Sequence, residues 1–254
     1  MTPRSEWQQE TRIRSYEAGA DGKAGLAIIC NLLQECAAVH ADHLGISYEF
    51  MHERKLAWTL ARLGVEIRRR PGVREELSVQ TWINGTRGPF AMREFVVLDA
   101  RSCRIARATY AWLAIETESK KPVRPSQIVG GYPPPPNREN LNAQLGKIPD
   151  PVDPVPWVSF RVFESDIDMH GHVNNSRYIA WIEDTLAADS RRDGGKSSVT
   201  WMHVNFLAEA FAGDTIEVQT GTVPERDRTE GRIVVLTRAD DGVELVRALA
   251  IFGD

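Results

Sequence analysis

Only three cysteines, Cys30, Cys36 and Cys103, occur in the 254 residues. The odd count and wide spacing exclude a disulfide framework and suit a reduced, intracellular protein. Cys30 and Cys36 lie within one apolar periodic segment and read as small buried hydrophobes. No window approaches the roughly 18 apolar residues of a membrane-spanning helix. The opening MTPRSEWQQE has no apolar core of the kind a secretory signal needs, so a cytoplasmic location is the expectation. There is no excess of one charge either: a net charge of −4 gives no global reason to bind nucleic acid. With 42% hydrophobic and 26% charged residues the composition is that of an ordinary globular protein, long enough for one large domain or two small ones.

What is present is unevenly placed. Ten of the 14 prolines fall between Pro122 and Pro156. Proline fixes φ, removes a donor and biases the preceding residue away from helix, so this stretch predicts an irregular connector. It divides the chain into 1–120, a connector over 121–156, and 157–254.

The two flanking parts run in the same order. In the first, KAGLAIICNLLQECAAVHADHLG places Leu26, Ile29, Leu33, Cys36, Ala37 and Leu44 on one helical face, with Gly45 as the stop. LAWTLARLGVEIRR, ELSVQTWING, FAMREFVVLDA and CRIARATYAWLAIE follow as strands. In the second, the strand WVSFRVFES leads to the helix NNSRYIAWIEDTLAAD, capped by Asn174 or Asn175, with Tyr178, Ile179, Trp181, Ile182 and Leu186 as its apolar side. VTWMHVNFLAEA, DTIEVQTGTV, GRIVVLTRA and VELVRALAIFG again read as strands. ELSVQT and DTIEVQT occupy matching places, a sign of internal duplication. Each half predicts an antiparallel sheet curled around one helix, an α+β arrangement.

The chemistry concentrates in DIDMHGHVNN, Asp166 to Asn175, which holds two of the six histidines. Three readings stand for it. His170 and His172 share a face if extended and would suit a transition metal. The calcium-loop likeness of DIDMHG fails, because Arg177 stands where the bidentate Glu is required. Asp and Asn at a strand-to-helix turn also serve merely to satisfy free N–H groups. Against that bland reading, histidine and carboxylate together are what general acid–base chemistry near neutral pH needs.

DIDMHGHVNNSRYIAWIED is similar to the segment D-x-D-x-N-x-H-V-N-N-x-x-Y-[IL]-x-W of the acyl-acyl carrier protein thioesterases of plant plastids and bacteria. SYEAGADGKAGLAIICNLLQECAAVHADHLG and KLAWTLARLGVEIRRRPGVREELSVQTW resemble the family's first half, and the likeness runs from about Ile13 to the end. The resemblance implies a tandem (double) hotdog, two antiparallel sheets each wrapped around a long central helix and joined into one extended sheet. It also implies hydrolysis of fatty acyl-acyl carrier protein in fatty acid biosynthesis, without metal or other cofactor. Asp168 and His172 fall on the family's aspartate and histidine, and His170 on its Asn. Glu209 falls on a later catalytic Glu, as general base or nucleophile, and Ala210 on the Cys that follows it, so no Cys thiolate is implied. Backbone N–H groups at the start of the second helix would stabilise the oxyanion.

By the same resemblance Asn174, Asn175, Leu26, Ile29, Leu33 and Trp58 are candidates for substrate binding, the first half being the acyl-chain side. An acidic carrier protein would need local basic surface, for which Arg68, Arg69, Arg70, Arg74, Arg191, Arg192 and Lys196 are candidates. His40 and His43 read as solvated or dipole-compensating. The alternatives are a hotdog thioesterase acting on acyl-coenzyme A and a non-catalytic acyl-binding protein. Either a monomer or a homodimer fits a fused double unit.

Overall fold

Two helices of similar length carry the apolar faces on which each half of the chain is built. Helix α1, Leu26–Leu44, buries Leu26, Ile29, Cys30, Leu33, Cys36, Ala37, His40 and Leu44 at spacings of three and four. It ends as expected at Gly45, whose left-handed φ of 72° closes the last turn without a Cβ penalty. Its counterpart, the long helix Asn175–Arg192, buries Tyr178, Ile179, Ile182 and Leu186. Burial of each such Leu or Ile side chain contributes about 1.5–3 kcal/mol. The structure is a computed structural model and describes residues 5–136, 138–192, 198–224 and 231–253.

The chain divides into two units, Met1–Gln144 and Leu145–Asp254. In the first, strand β1 (Glu6–Arg12) and the turn Ser15–Glu17 lead into α1. A short helix α2 (Tyr48–Glu53) follows, then strands β2 (Leu56–Ile67), β3 (Glu76–Arg87), β4 (Phe90–Asp99) and β5 (Arg104–Glu116). They pair antiparallel in the order β1-β3-β4-β5-β2. A two-residue strand β6 (Pro122–Val123) lies on β5, and the one-turn helix α3 (Ser126–Val129) comes after it.

The second unit has β7 (Val152–Arg161), the turn Glu164–Asp166, α4 (Asn175–Arg192), β8 (Ser198–Phe206), β9 (Thr215–Thr222), β10 (Arg232–Arg238) and β11 (Glu244–Gly253). Its order is β8-β11-β10-β9-β7. Numbered from the start of each unit, both sheets read first, third, fourth, fifth, second. The duplication is therefore one of topology, and each unit is a hotdog: an antiparallel sheet and a long helix. ELSVQT lies in β3 and DTIEVQT spans the start of β9, the third strand of each.

The proline-rich stretch, read in sequence as a connector over 121–156, is shared between the two units. Its first part belongs to the first unit and its last part to the second. Across 138–143 it is sewn onto the first sheet. Trp82 Nε1 donates to Asn140 Oδ1 (2.8 Å), Leu141 N to Glu94 Oε2 (3.0 Å), and Ala143 N to Thr109 Oγ1 (3.2 Å). β7 starts at Val152, five residues ahead of the expected strand. Its prolines are accommodated because β7 ends the sheet order and its pairing with β9 slips at Val152/Val155 and Pro156/Val158.

Candidate active site

The diagnostic segment folds as a tight hairpin between the turn Glu164–Asp166 and α4. Ile167 and Val173 form an antiparallel bridge. Asp168 N donates to His172 O (3.0 Å) and Gly171 N to Asp168 O (3.0 Å). Gly171 sits at φ 81°, a value that glycine takes without cost. This backbone is not unique to the second unit. Ala18 and Ala24 bridge in the same way, Gly19 N donates to Lys23 O (2.9 Å), Gly22 N to Gly19 O (2.9 Å), and Gly22 has φ 73°.

The facing segment is duplicated too. Val173 N donates to Ala210 O and Ala24 N to Pro71 O, both at 2.9 Å. Gly19, Lys23 and Arg70 thus stand in the first unit where Asp168, His172 and Glu209 stand in the second. One scaffold loop carries an exchanged set of side chains, and the first copy's Asp21 and Arg70 are bonded to one another.

In the second copy, His172 and Glu209 come together, with Nε2 and Oε1 4.0 Å apart. Both side chains are about one-third exposed, 27% and 35%, so water reaches them. The gap exceeds a hydrogen bond, as is common before substrate tightens such pairs. His172 Nδ1 lies 3.2 Å from Val173 O, which favours the tautomer with hydrogen on Nδ1 and a lone pair on Nε2. The ring of His170 lies 5.9 Å from that of His172 at an interplanar angle of 18°. Its exposed side chain is at the hairpin tip.

The Asp168 carboxylate bonds away from the His172 ring: one oxygen accepts from His170 N (2.8 Å) and the other from Asn174 Nδ2 (3.1 Å). Asn174 closes the circuit, its Oδ1 accepting from Ser176 N (2.9 Å) and Ser176 Oγ (2.8 Å) as the cap of α4. Both ends of the Asn174 amide thereby take part in holding the loop. Asn175 is the first residue of α4. Asp166 is buried, accepts from Phe163 N (2.9 Å) and pairs with Arg177 at 2.7 Å; it is a structural residue.

Three of the amides at the start of α4, where the oxyanion donors are expected, already have partners. The N–H groups of Asn174, Ser176 and Arg177 are bonded to Asp166 O, Asn174 Oδ1 and Asn174 O. Those amides hold the loop. Among the described residues, no group of three or more His, Cys, Asp or Glu side chains is placed to hold a metal ion.

Two residues not singled out for the site fix the Glu209 segment. Arg238, at the end of β10, donates from Nη1 to Glu209 O (3.1 Å) and pairs with Asp241 (2.8 Å) and Asp214 (3.5 Å). Tyr178 OH accepts from Ala210 N (3.0 Å). Burial pushes the Tyr178 phenol up, the bond from Ala210 lowers it, and the charges of Glu209 and Asp214 add to the rise. In sequence Tyr178 reads as a member of the helix's apolar face and as the Tyr of the family segment, and neither tells what its hydroxyl holds.

In the first unit, Leu26, Ile29 and Leu33 are buried core residues of α1. Trp58 is half-buried against the cluster of Leu44, Ile46, Ile83, Ala91 and Val129. His40 is not solvated as expected: it is buried, with Nδ1 3.0 Å from Arg93 Nη1. His43 is the exposed one, Nδ1 2.8 Å from Val39 O. Three of the candidate arginines are committed: Arg69 to Glu75 (2.6 Å) and Asp99 (2.8 Å), Arg70 to Asp21, and Arg68 to Glu66 at 3.9 Å. Arg74 is exposed at φ 65°, and Arg191 is exposed near the end of α4. Lys196 and the side chain of Arg192 lie outside the described residues.

The fold and the loop define a two-unit hotdog protein with a histidine–carboxylate site in its second unit. Its family follows from comparison. Models of the acyl-ACP thioesterase N-terminal domain and C-terminal domain match residues 4–129 and 156–253, and the chain belongs to the acyl-ACP thioesterase family. It is 25% identical over 265 residues to oleoyl-acyl carrier protein thioesterase 1, chloroplastic, of Arabidopsis thaliana, covering 98% of this chain and 72% of that one. Palmitoyl-acyl carrier protein thioesterase, chloroplastic, of Gossypium hirsutum is 27% identical over 261 residues, 95% of this chain and 62% of the relative. The crystal structure of an acyl-ACP thioesterase from Bacteroides thetaiotaomicron shares the fold, with a TM-score of 0.86 and 24% identity over 98% of both chains. The 12:0-ACP thioesterase from Umbellularia californica does so at 0.80, with 20% identity and 98% of both chains covered.

Proposed function

We propose that the chain hydrolyses fatty acyl thioesters carried on acyl carrier protein, releasing the free fatty acid. The observation that carries this is the approach of His172 Nε2 to Glu209 Oε1, 4.0 Å, on a hairpin locked by Asp168 and Asn174. The family names of the relatives support the same substrate class.

In this reading Glu209 takes a proton from water as the water oxygen attacks the thioester carbonyl carbon. His172, with its lone pair on Nε2, holds that water against the carboxylate. The C–S bond then breaks, the proton passes to the departing pantetheine sulfur, and the carboxylic acid leaves. A thiolate departs readily, so the reaction calls for no cofactor. His170, exposed at the hairpin tip, would approach the carbonyl oxygen, with Leu26, Ile29, Leu33 and Trp58 as the acyl-chain side. The cytoplasm is the compartment we assign, in keeping with three free cysteines.

Glu209→Ala tests the role of the carboxylate: kcat falls by on the order of 10²–10⁴-fold with carrier-protein substrates. Unchanged turnover would sink both the base role and a covalent acyl-Glu209 route. The parent protein is assayed on acyl-acyl carrier protein and acyl-coenzyme A in parallel. Release from the coenzyme A substrates alone transfers the assignment to that carrier. Tight acyl binding without release makes the protein a binder.

A further inference from the structure

The internal duplication isolates the contacts that only the second unit needs. Counting from the matched bridges, Tyr178 lies five residues after Val173 and Ile29 five residues after Ala24. Ala210 and Pro71 are matched by their carbonyls, which accept from Val173 N and Ala24 N. The flanking geometry agrees: Phe211 N donates to Asp214 Oδ2 (3.0 Å) and Gly72 N to Glu75 Oε2 (2.9 Å). In the second unit Ala210 N donates to Tyr178 OH. In the first, proline has no N–H and isoleucine has no hydroxyl. Donor and acceptor are both present beside the histidine–carboxylate pair and both absent from the copy without it.

Tyr178 and Ala210 are buried, so the bond lies out of reach of solvent. An Ala210 amide deprived of its acceptor there has no water to replace it, and the segment must shift to find one. Glu209 is the neighbouring residue, and the peptide group that joins it to Ala210 is held at both ends, its N–H by Tyr178 and its oxygen by Arg238.

We propose that Tyr178 is the positioning residue for the Glu209 carboxylate: its phenol oxygen clamps the Ala210 amide and so holds Glu209 at its working distance from His172. The inference rests on the hydrolase reading for its kinetic consequence, but the clamp itself is measured without activity.

Tyr178→Phe removes one oxygen and keeps the ring against Trp181 and Phe206. A misplacement of about 1 Å at a reacting group lowers rate on the order of 10²-fold, so kcat should fall between about tenfold and a hundredfold with KM within about twofold. Amide hydrogen exchange at Ala210 should be slow in the parent and fast in the variant. Adding Ala210→Pro, which removes the stranded donor as the first unit does, should recover most of the lost kcat. Fast exchange at Ala210 in the unmodified protein overturns the clamp without any variant. So does a Tyr178→Phe enzyme with parental kcat, or a kcat loss with Ala210 exchange unchanged. If the parent hydrolyses no acyl thioester yet protects Ala210 through Tyr178, the functional reading fails and the clamp stands.

Discussion

At the scale of single residues, the site separates groups that face water from groups that hold the loop. Asp168 and His170 illustrate the difference. The carboxylate of Asp168 gathers His170 N and the Asn174 amide, and Asn174 in turn caps α4. Asp168→Ala therefore frees two donors and loosens the cap, with an expected cost of about 1–3 kcal/mol and a drop in kcat. Only the backbone of His170 enters that circuit through Asp168. His170→Asn should leave the melting temperature within a degree or two of the parent, on the order of the few tenths of a kcal/mol usual for surface changes, and act on kinetics alone. Thermal unfolding and steady-state rates on the two variants check the contrast. A large loss of stability in His170→Asn, or none in Asp168→Ala, would reverse these assignments.

At the scale of elements, legibility in the sequence followed period and length. Both long helices and strands β2 to β5 and β7 to β11 were visible because apolar residues recur over many positions, and Gly45 marked its own stop; β1, EWQQETR, was not, because apart from Trp7 it is polar. Helices α2 and α3, of six and four residues, are too short to carry a period. The docking of 138–143 was hidden because its partners, Trp82, Glu94 and Thr109, are tens of residues away and bond through single atoms. Tyr178 was hidden differently: its position reads as core, and nothing in a helical period discloses where a hydroxyl points. The docked segment also makes a pH-dependent contribution. Burial pushes the Glu94 carboxyl up, outweighing the lowering bonds from Thr109, Leu141 and Asn84. A raised folded-state value means the folded protein holds this proton more tightly than the unfolded chain. The stability it contributes is complete below the unfolded carboxylate value and disappears as pH rises through the folded one. Glu94→Gln cannot titrate, so the stability of the parent relative to Glu94→Gln should be greatest in acid and decline toward neutrality. Unfolding in denaturant from about pH 4 to about pH 8 reads this, and a constant difference would refute it.

At the scale of the whole molecule, a net charge of −4 sets a problem for any encounter with an acidic carrier protein. Long-range attraction has to come from local cations, and the structure reduces the number at hand. Arg69 and Arg70 are neutralised within the first unit, where Arg70 occupies the place that Glu209 has in the second. Charge reversal at these two should act on stability, because it breaks ion pairs. Arg74 and Arg191 are exposed and should act on the encounter instead. Raising ionic strength from about 0.1 M to about 1 M shortens the screening length from about 10 Å to about 3 Å. Over that range kcat/KM for acyl-acyl carrier protein should fall, while that for an acyl-pantetheine stub, which has no charge to steer, should stay level. Arg74→Glu should raise KM for the carrier-protein substrate several-fold and leave the stub unaffected. Equal salt responses for the two substrates would mean that the carrier protein is not met by charge, and would remove Arg74 and Arg191 from the docking surface.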